Sequence, residues 1–380
     1  GRLGPNRVGP YGLLQPLADA LKLMLKEDIT PANVDKVLYY LAPAVALAPV
    51  IMSVTVLPWN ASRDWGAVAP RVDSGGILLL LAVASIEVYG VILAGWSSNN
   101  KYSLLGGLRA SSQVISYELG MGLAIIAVIL MSGTLSTQGI VGMQAKSDIV
   151  SSGFWNWHVL SFFPFGLIAC VVYMISMIAE TNRAPFDLPE AETELVAGFH
   201  TEYTSFKFAM FFMGEYANMW IVSAICVTLF FGGYLAPWGP LGYIPPHLVG
   251  DGFAAFLNNV VLAPFWLLSK LALFSAFFIL VRATFPRLRY DMLMKLGWKG
   301  LLPIALMNVF FLALSMALRP ILGLVTGHLV AVGAMLLSLI LLFLWKKGEY
   351  EAVRKEASAG ALVPIRRAST ATPTEANVEF

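Results

Sequence analysis

Eight apolar runs dominate the sequence, and each is long enough to cross a lipid bilayer as a helix. A helix needs about 20 consecutive apolar residues to span the hydrocarbon core. The 380-residue chain is 58% apolar and 13% charged, whereas soluble domains carry about 25% charged residues. This composition excludes an ordinary soluble enzyme and a disordered chain. The runs cover residues 37–58, 75–96, 114–131, 159–180, 206–232, 258–282, 301–318 and 321–345.

These runs predict an all-α, polytopic helical membrane protein with a single membrane domain over residues 1–345. Only Arg319 and Pro320 separate the last two runs, which predicts a tight helical hairpin. The segment Leu14–Lys26 carries an apolar stripe opposite charged residues, which is typical of an amphipathic helix. Such a helix lies in the membrane interface, or it docks on other spans or on a partner subunit. Residues 346–380 are rich in small, polar and charged residues, and we expect a disordered tail.

The basic residues predict which side of the membrane each loop occupies. If the chain crosses the membrane eight times, twenty of its 25 Lys and Arg residues fall on one side and four on the other. The remaining one, Lys270, lies inside a run. Lys and Arg accumulate in cytoplasmic loops. We therefore expect both ends of this sequence to face the cytoplasm.

Four carboxylic acids lie inside or at the end of apolar runs: Glu87, Glu118, Glu180 and Glu215. An acid at the centre of a spanning helix costs about 2.5–3.5 kcal/mol to insert, so its presence indicates a partner or a water-filled path. Lys270 is a possible counter-charge. The alternative is that each acid only fixes the packing of neighbouring helices.

An unusually acidic loop follows the fourth run. Residues 180–202 contain six acids and a single basic residue, Arg183. The acids are Glu180, Asp187, Glu190, Glu192, Glu194 and Glu202. Neighbouring carboxylates raise one another's pKa, so this cluster is a candidate for carrying protons near neutral pH. A solvated acidic surface is the alternative, although apolar neighbours such as Phe199 argue against full solvation.

Motifs for nucleotide or metal chemistry are not found in the sequence. It contains neither a phosphate-binding glycine loop, nor a dinucleotide fingerprint, nor an HExxH motif. Its four histidines are widely separated, and its two cysteines cannot supply a four-ligand metal site. We therefore expect no metal ion and no redox centre in this chain.

Several long motifs resemble the H subunit of NADH-quinone oxidoreductase, a membrane component of bacterial respiratory complex I. The similarity runs from Arg2 to about Leu318. The motifs are GPNRVGP at 4–10, AGWSSNNKY at 94–102, SYE at 116–118, the acidic loop at 180–194, FHTEY at 199–203 and RATFPRLRYD at 282–291. Several ordered motifs of this length make a chance match a poor explanation.

The resemblance implies a function that the residues alone do not name. Members of this family form the floor and entrance of the quinone chamber and couple quinone reduction to proton translocation. They lie in the cell inner membrane, at the junction of the peripheral and membrane arms. Their partners are the peripheral-arm quinone-module subunits and the antiporter-like subunits of the membrane arm. The resemblance implies that quinone is the substrate, that this chain binds no cofactor, and that FMN and iron–sulfur clusters belong to partner subunits.

The resemblance also implies roles for individual residues, none of them catalytic or metal-binding. For quinone binding, the expected residues are Arg2, Arg7, Asp19, Arg183 and Phe199. For the proton relay, the expected residues are Glu118, Glu180, Asp187, Glu190, Glu192, Glu202 and Glu215.

Three departures from the family and three rival functions stand beside this interpretation. The family has a transmembrane helix before the Arg2 motif that this sequence does not include, and we expect the sequence to be incomplete there. The run at 321–345 and the tail go beyond the shortest family members, and Glu87 stands where many relatives carry a small residue. The rivals are the equivalent subunit of a membrane-bound hydrogenase, an independent ion-coupled transporter, and a structural anchor for the peripheral arm.

Overall fold

The chain is mostly helical in the part that its structure describes. A computed structural model describes residues 4–59, 75–145, 153–187, 198–244, 251–323 and 325–339. Within these ranges no β-strand forms, and one isolated antiparallel bridge joins Gly153 to Trp238. The helices are α1 Gln15–Leu25, α2 Lys36–Val54, α3 Gly76–Ser97, α4 Lys101–Ser132, α5 Thr137–Ala145, α6 His158–Ser161, α7 Phe165–Glu180, α8 Ser205–Phe230, α9 Gly252–Thr284, α10 Tyr290–Leu322 and α11 Val325–Leu339.

The predicted fold class is confirmed. Helices α2, α3, α4, α8, α9 and α10 are long and apolar enough to cross a membrane, and α7 and α11 are shorter apolar helices. Each of the eight apolar runs coincides with one of these helices. The chain is therefore a polytopic helical membrane protein. The predicted disordered tail lies outside the described residues.

Helix α4 is much longer than the apolar run that predicted it. It begins at Lys101 rather than at residue 114, and it continues for 32 residues to Ser132. Asn100 starts it, because its side chain accepts a hydrogen bond from the backbone N–H of Tyr102 at 3.0 Å. At 1.5 Å per residue the helix is about 48 Å long, against a hydrocarbon core of about 30 Å. Hydropathy identifies only residues that are apolar enough for the hydrocarbon core, so it did not predict the polar first third of the helix.

The last three helices also begin or end differently from the runs. Helices α9 and α10 contain π-helical turns at Leu257–Leu262 and Gly297–Leu301, close to where the corresponding runs begin. Helix α10 continues through Pro320, and the hairpin turns at Gly323, whose φ of +90° suits a residue without a side chain. The predicted hairpin therefore forms a few residues later than expected.

Helix α4 lies at the centre of the bundle, where it packs against α3, α7 and α10. The main core contains four fully buried aromatic residues, Tyr117, Phe165, Tyr173 and Phe230. Helices α2 and α3 approach closely at Gly90, where an added Cβ would lie 2.7 Å from the backbone nitrogen of Ala46. Small residues at this crossing let two spanning helices pack with their backbones in contact.

The structure confirms that the N-terminal helix α1 is amphipathic, and it shows where the helix is attached to the bundle. Its apolar stripe is exposed, with Leu17 59% and Leu21 51% accessible. Its C-terminal end is tied to α8, because the Ser205 hydroxyl donates to the carbonyls of Leu23 and Lys26 at 3.0 and 2.7 Å. The helix is thus docked on a spanning helix at one end and leaves its apolar face open along its length.

Candidate functional site

The turn around Glu202 is fixed to the beginnings of two spanning helices. The Glu202 carboxylate accepts a hydrogen bond from Asn100 Nδ2 at 2.7 Å, directly before α4. Its backbone carbonyl accepts one from the Tyr39 hydroxyl of α2, also at 2.7 Å. The ring of Tyr39 stacks on that of Tyr203 with 4.2 Å between centroids. The end of the acidic loop is therefore held in one position relative to α2 and α4.

A close backbone approach holds the same turn against α4. A Cβ on Gly106 would lie 2.7 Å from Cα of Gly198, so the two backbones touch. One helical turn earlier, the Ser103 hydroxyl donates to the carbonyl of Phe199 at 2.9 Å. The Phe199 side chain is 2% exposed and packs against Phe211. The structure thus places this predicted quinone-binding ring in the protein core, beside Glu202.

Burial sets the charge state of the neighbouring His200. Its ring is surrounded by three aromatic rings, those of Phe199, Phe208 and Phe212, at centroid distances of 4.9 to 5.7 Å. This apolar environment disfavours the imidazolium and lowers the pKa of His200 from 6.5 to about 4. His200 is therefore neutral at physiological pH, and the charge at this turn comes from carboxylates.

Arg183 lies beside Glu215 of α8, at the start of the acidic loop. Its guanidinium is 3.9 Å from the Glu215 carboxylate, and both side chains are about 15% exposed or less. The guanidinium also lies over the ring of Tyr216, 4.1 Å from its centroid. A cavity of about 190 Å³ adjoins this pair and is lined by Arg183, Tyr216, Ser275 and Arg282, together with apolar side chains. The site brings a carboxylate, two cations and an aromatic ring to one small apolar cavity.

Gln113 of α4 fixes the first turn of the acidic loop. Its amide nitrogen donates to three acceptors: the carbonyl of Ala179 at 2.8 Å, Oδ1 of Asn182 at 3.0 Å and the carbonyl of Phe186 at 2.9 Å. The Gln113 side chain is fully buried. One buried amide therefore sets the path of the chain from Glu180 to Asp187, where the described part of the loop ends.

The intramembrane acids lie on adjoining helices. Glu118 accepts a short hydrogen bond from the Ser85 hydroxyl of α3 and lines an open groove of about 470 Å³. Glu180, at the end of α7, is 6% exposed, and its Oε2 is buried without a hydrogen-bond partner among the described residues. Glu87 of α3 accepts a hydrogen bond from Asn218 Nδ2 at 2.9 Å. Two of these three carboxylates thus have a hydrogen-bond donor from a neighbouring helix.

Lys270 is buried and pairs with no carboxylate of the described residues, so its predicted role as a counter-charge to the intramembrane acids of those residues is wrong. Its ammonium donates to three backbone carbonyls at 2.6 to 2.8 Å, those of Phe231, Gly233 and Leu235. It also lies 4.5 Å from the centroid of the Trp157 ring. These carbonyls follow the C-terminus of α8, where a cation interacts favourably with the helix dipole.

The structure brings some of the predicted site residues together and separates others. Glu180 interacts electrostatically with Glu118, Arg183 pairs with Glu215, and Asp187 ends the loop segment that Gln113 holds, whereas Phe199 and Glu202 lie apart from these acids at the start of α4. Arg7 and Asp19 are exposed on the N-terminal segment, where Asp19 accepts a hydrogen bond from Gln15. Arg2, Glu190 and Glu192 lie outside the described residues. Within the described ranges, no group of three or more His, Cys, Asp or Glu side chains is arranged to hold a metal ion.

Sequence reasoning missed two residues of the candidate site, Gln113 and Asn218. Asn218 is a polar amide inside an apolar run and bonds to an intramembrane acid, whereas Gln113 ends the polar first third of α4 and bonds to the acidic loop. Amides are rare in apolar runs because burying one without a partner is costly. That rarity was the available signal for Asn218.

Comparison with known proteins agrees with this architecture. The family described as NADH dehydrogenase matches residues 1–313. The chain is 47% identical over 332 residues to the second H subunit of NADH-quinone oxidoreductase of Koribacter versatilis, an alignment covering 84% of this chain and 88% of the relative. It is 48% identical to the H subunit of NADH-quinone oxidoreductase of Salinibacter ruber, with coverage of 85% and 89%. It is also 48% identical to NADH-quinone oxidoreductase subunit 8 of Rhodothermus marinus, with coverage of 83% and 88%. Eight apolar helices, a cluster of acids between them and these similarities lead to one conclusion: the chain belongs to the NADH dehydrogenase family, as an H subunit of NADH-quinone oxidoreductase.

Proposed function

We propose that this subunit lines the membrane side of a quinone chamber and couples quinone reduction to proton translocation. In this proposal the electrons come from NADH through FMN and iron–sulfur clusters held by partner subunits. The acidic loop faces the peripheral-arm subunits on the cytoplasmic side of the inner membrane, as the basic residues predict. The groove beside Glu118 then faces the membrane arm and its antiporter-like subunits.

The observation that carries the proposal is the arrangement of carboxylates around α4, α7 and α8. Glu202 is bonded to Asn100 at the start of α4, and Glu118 lies on the same helix. Glu180 lies on the adjoining α7, within Coulombic range of Glu118. Glu215 is on α8 beside Arg183. Acids placed inside a membrane domain are expensive, and they typically mark ion or proton paths.

This arrangement supports a simple coupling mechanism. Reduction of a quinone to a quinol takes up two electrons and two protons, so groups beside the loop that supply those protons are left with additional negative charge until they are reprotonated. The carboxylates of the loop supply or receive protons in response, because coupled acids titrate as a group. Glu180, Glu118 and Glu215 then carry the change toward the membrane arm. Arg183 holds the beginning of the loop against α8 through Glu215.

The test replaces one acid at a time by its amide in the assembled complex. Glu202→Gln retains an oxygen that accepts from Asn100, and Glu118→Gln retains one that accepts from Ser85, so each change removes the charge and little else. In purified complex reconstituted in liposomes, we expect NADH:quinone reduction and proton pumping to fall together, by roughly 100-fold, as for loss of a positioned proton-transfer group.

The control is Glu27→Gln, since Glu27 is exposed on the N-terminal segment. NADH oxidation by an artificial acceptor reports on the peripheral arm and should be unchanged in every variant. If complexes carrying Glu118→Gln or Glu202→Gln are fully assembled and pump at the rate of the unaltered enzyme, the relay is refuted.

A further inference from the structure

Glu87 is an intramembrane acid that the relay proposed above does not use. It is partly buried in the middle of α3, and its Oε2 accepts from Asn218 Nδ2 at 2.9 Å. Asn218 is itself 7% exposed on α8. A buried amide from one spanning helix is thus directed at a carboxyl group on another. This contact holds one oxygen of Glu87 and leaves its second oxygen available for another group.

Glu87 and Glu180 line the same narrow cavity between α2, α3, α7 and α8. Its volume is about 30 Å³, and one water needs about 10–15 Å³ measured in this way. The cavity therefore has room for about two waters. Glu180 contributes to its wall a side chain that is 6% exposed and whose Oε2 lacks a hydrogen-bond partner within the described ranges. An unpaired buried carboxylate oxygen requires a proton or a donor such as water.

The other polar groups of the cavity wall offer acceptors rather than donors. Each of four hydroxyls already donates to a backbone carbonyl: Ser53 to Pro49, Thr137 to Val56, Tyr173 to Val222 and Thr228 to Ile225. A hydroxyl whose hydrogen is used in this way can offer a neighbour only an acceptor. The cavity is lined by hydrogen-bond acceptors and two carboxyl groups. It therefore favours water and a protonated carboxyl group, because both can donate hydrogen bonds.

The charged groups around this cavity are mostly acidic. Glu180 and Glu215 are the carboxylates within Coulombic range of Glu87, and Glu118 acts in turn on Glu180. Arg183 is directed to Glu215, and no Lys or Arg of the described ranges lines the cavity wall. Two carboxylates sharing so small an apolar space without a cation do not both remain charged, because each desolvated negative charge disfavours the other.

We propose that Glu87 and Glu180 form a water-bridged pair that stores a proton within the membrane domain. The proton resides on one carboxyl group and passes through the intervening water to the other carboxylate, so that charge and atoms are conserved. The pair is a side branch of the relay, and the proposal therefore rests on the proposed function. Its new element is that Glu87 adds one carboxyl group to the proton capacity of the site.

The experiment compares redox-induced infrared difference spectra of the purified whole complex. Glu87→Gln preserves the volume and the acceptor for Asn218 but cannot store a proton. We expect the unaltered complex to show a carboxylic acid C=O band that shifts in D₂O, and Glu87→Gln to lose that band while the complex remains assembled. Glu87→Ala should lose it as well, and Glu27→Gln should retain it.

Two outcomes separate this inference from the relay itself. If both Glu87 variants give the spectrum of the unaltered complex, while Glu180→Gln changes the spectrum and impairs pumping, the pair is refuted and the relay stands. If Glu180→Gln also pumps normally, the relay is refuted, and the storage pair with it. An assembled-complex structure with a dry cavity between the two carboxyl groups would likewise overturn the pair.

Discussion

Gln113→Met should loosen the beginning of the acidic loop without altering the bundle that supports it. Methionine matches glutamine in length and is tolerated in helices, but it donates no hydrogen bond. The substitution leaves the carbonyls of Ala179 and Phe186 and the side chain of Asn182 without their shared donor. The segment from Ala179 to Asp187 then keeps its other contacts, such as the packing of the Phe186 ring against Tyr117 of α4 and the bond from Leu288 N to the Pro185 carbonyl at 3.0 Å.

The expected magnitude follows from the number of orphaned acceptors. A buried polar group left without a partner costs about 1–3 kcal/mol. The Phe186 carbonyl loses its donor, whereas the Ala179 carbonyl still accepts from the N–H of Asn182 at 3.4 Å, so we expect a net loss of about 2 kcal/mol. Since about 1.4 kcal/mol corresponds to a tenfold change in an equilibrium constant, local opening should become roughly 30-fold more frequent.

Hydrogen–deuterium exchange with mass spectrometry on the assembled complex measures this opening. Peptides covering residues 179–187 should exchange roughly 30-fold faster in Gln113→Met, provided exchange is limited by local opening. The matched control is Gln144→Met. Gln144 is also fully buried, but it donates to the carbonyl of Thr228 at 2.9 Å and accepts from the N–H of Gly232 at 3.0 Å. The control should accelerate exchange around residues 228–233 and leave 179–187 unchanged. Equal exchange of 179–187 in Gln113→Met and the unaltered complex would refute the role assigned to Gln113.

Three further predictions concern other contacts of the same bundle. In Gly106→Ala the added Cβ would lie 2.7 Å from Cα of Gly198, so the two backbones must move apart, and we expect quinone reductase activity to fall. The control is Gly122→Ala, whose Cβ would have no atom within 4 Å and which should leave activity unchanged. Lys270→Met should lower the thermal unfolding temperature or assembly yield of the complex, since three charge-assisted hydrogen bonds of about 1.5–3 kcal/mol each are lost, and normal stability would contradict its capping role. Burial lowers the pKa of His200 from 6.5 to about 4 in the folded state. The free energy of unfolding is therefore highest above pH 6.5, where His200 is neutral in both states, and it falls by about 3 kcal/mol in total as the pH decreases toward 4. Exchange of residues 198–204 should accelerate across that pH interval in the unaltered complex and much less in His200→Phe; identical pH profiles would contradict the assignment.

The sequence predicted the helices well because membrane insertion requires long apolar stretches, and these are visible in a single sequence. It missed the first third of α4, since residues 101–113 are polar enough for an environment outside the hydrocarbon core. It selected Glu118, Glu180 and Glu215 as candidates because acids inside apolar runs are conspicuous, and their roles remain predictions. The partners of these acids depend on how the helices pack, which no local pattern specifies.

The roles of Gln113 and Lys270 were hidden for a different physical reason. Both side chains donate chiefly to backbone carbonyls. Every residue has a carbonyl, so the sequence does not mark which of them a donor will reach. Lys270 therefore resembled a counter-charge to an acid. Glu190 and Glu192 lie outside the described residues, and their roles in the relay remain predictions.

The uninterrupted course of α4 has a mechanical consequence. The helix contains no proline, so its hydrogen-bond ladder continues from Lys101 to Ser132 and the segment moves as a stiff rod. Glu202 accepts a hydrogen bond from Asn100 at the start of this helix, and Glu118 lies about 27 Å further along it. A tilt of about 5° about the middle of a helix about 48 Å long moves each end by about 2 Å. Displacement of the Glu202 turn would therefore turn the whole of α4 as one rigid body, and Glu118, which lies within about 3 Å of the middle, would be reoriented by the same angle with little displacement even if no proton travelled the distance between them.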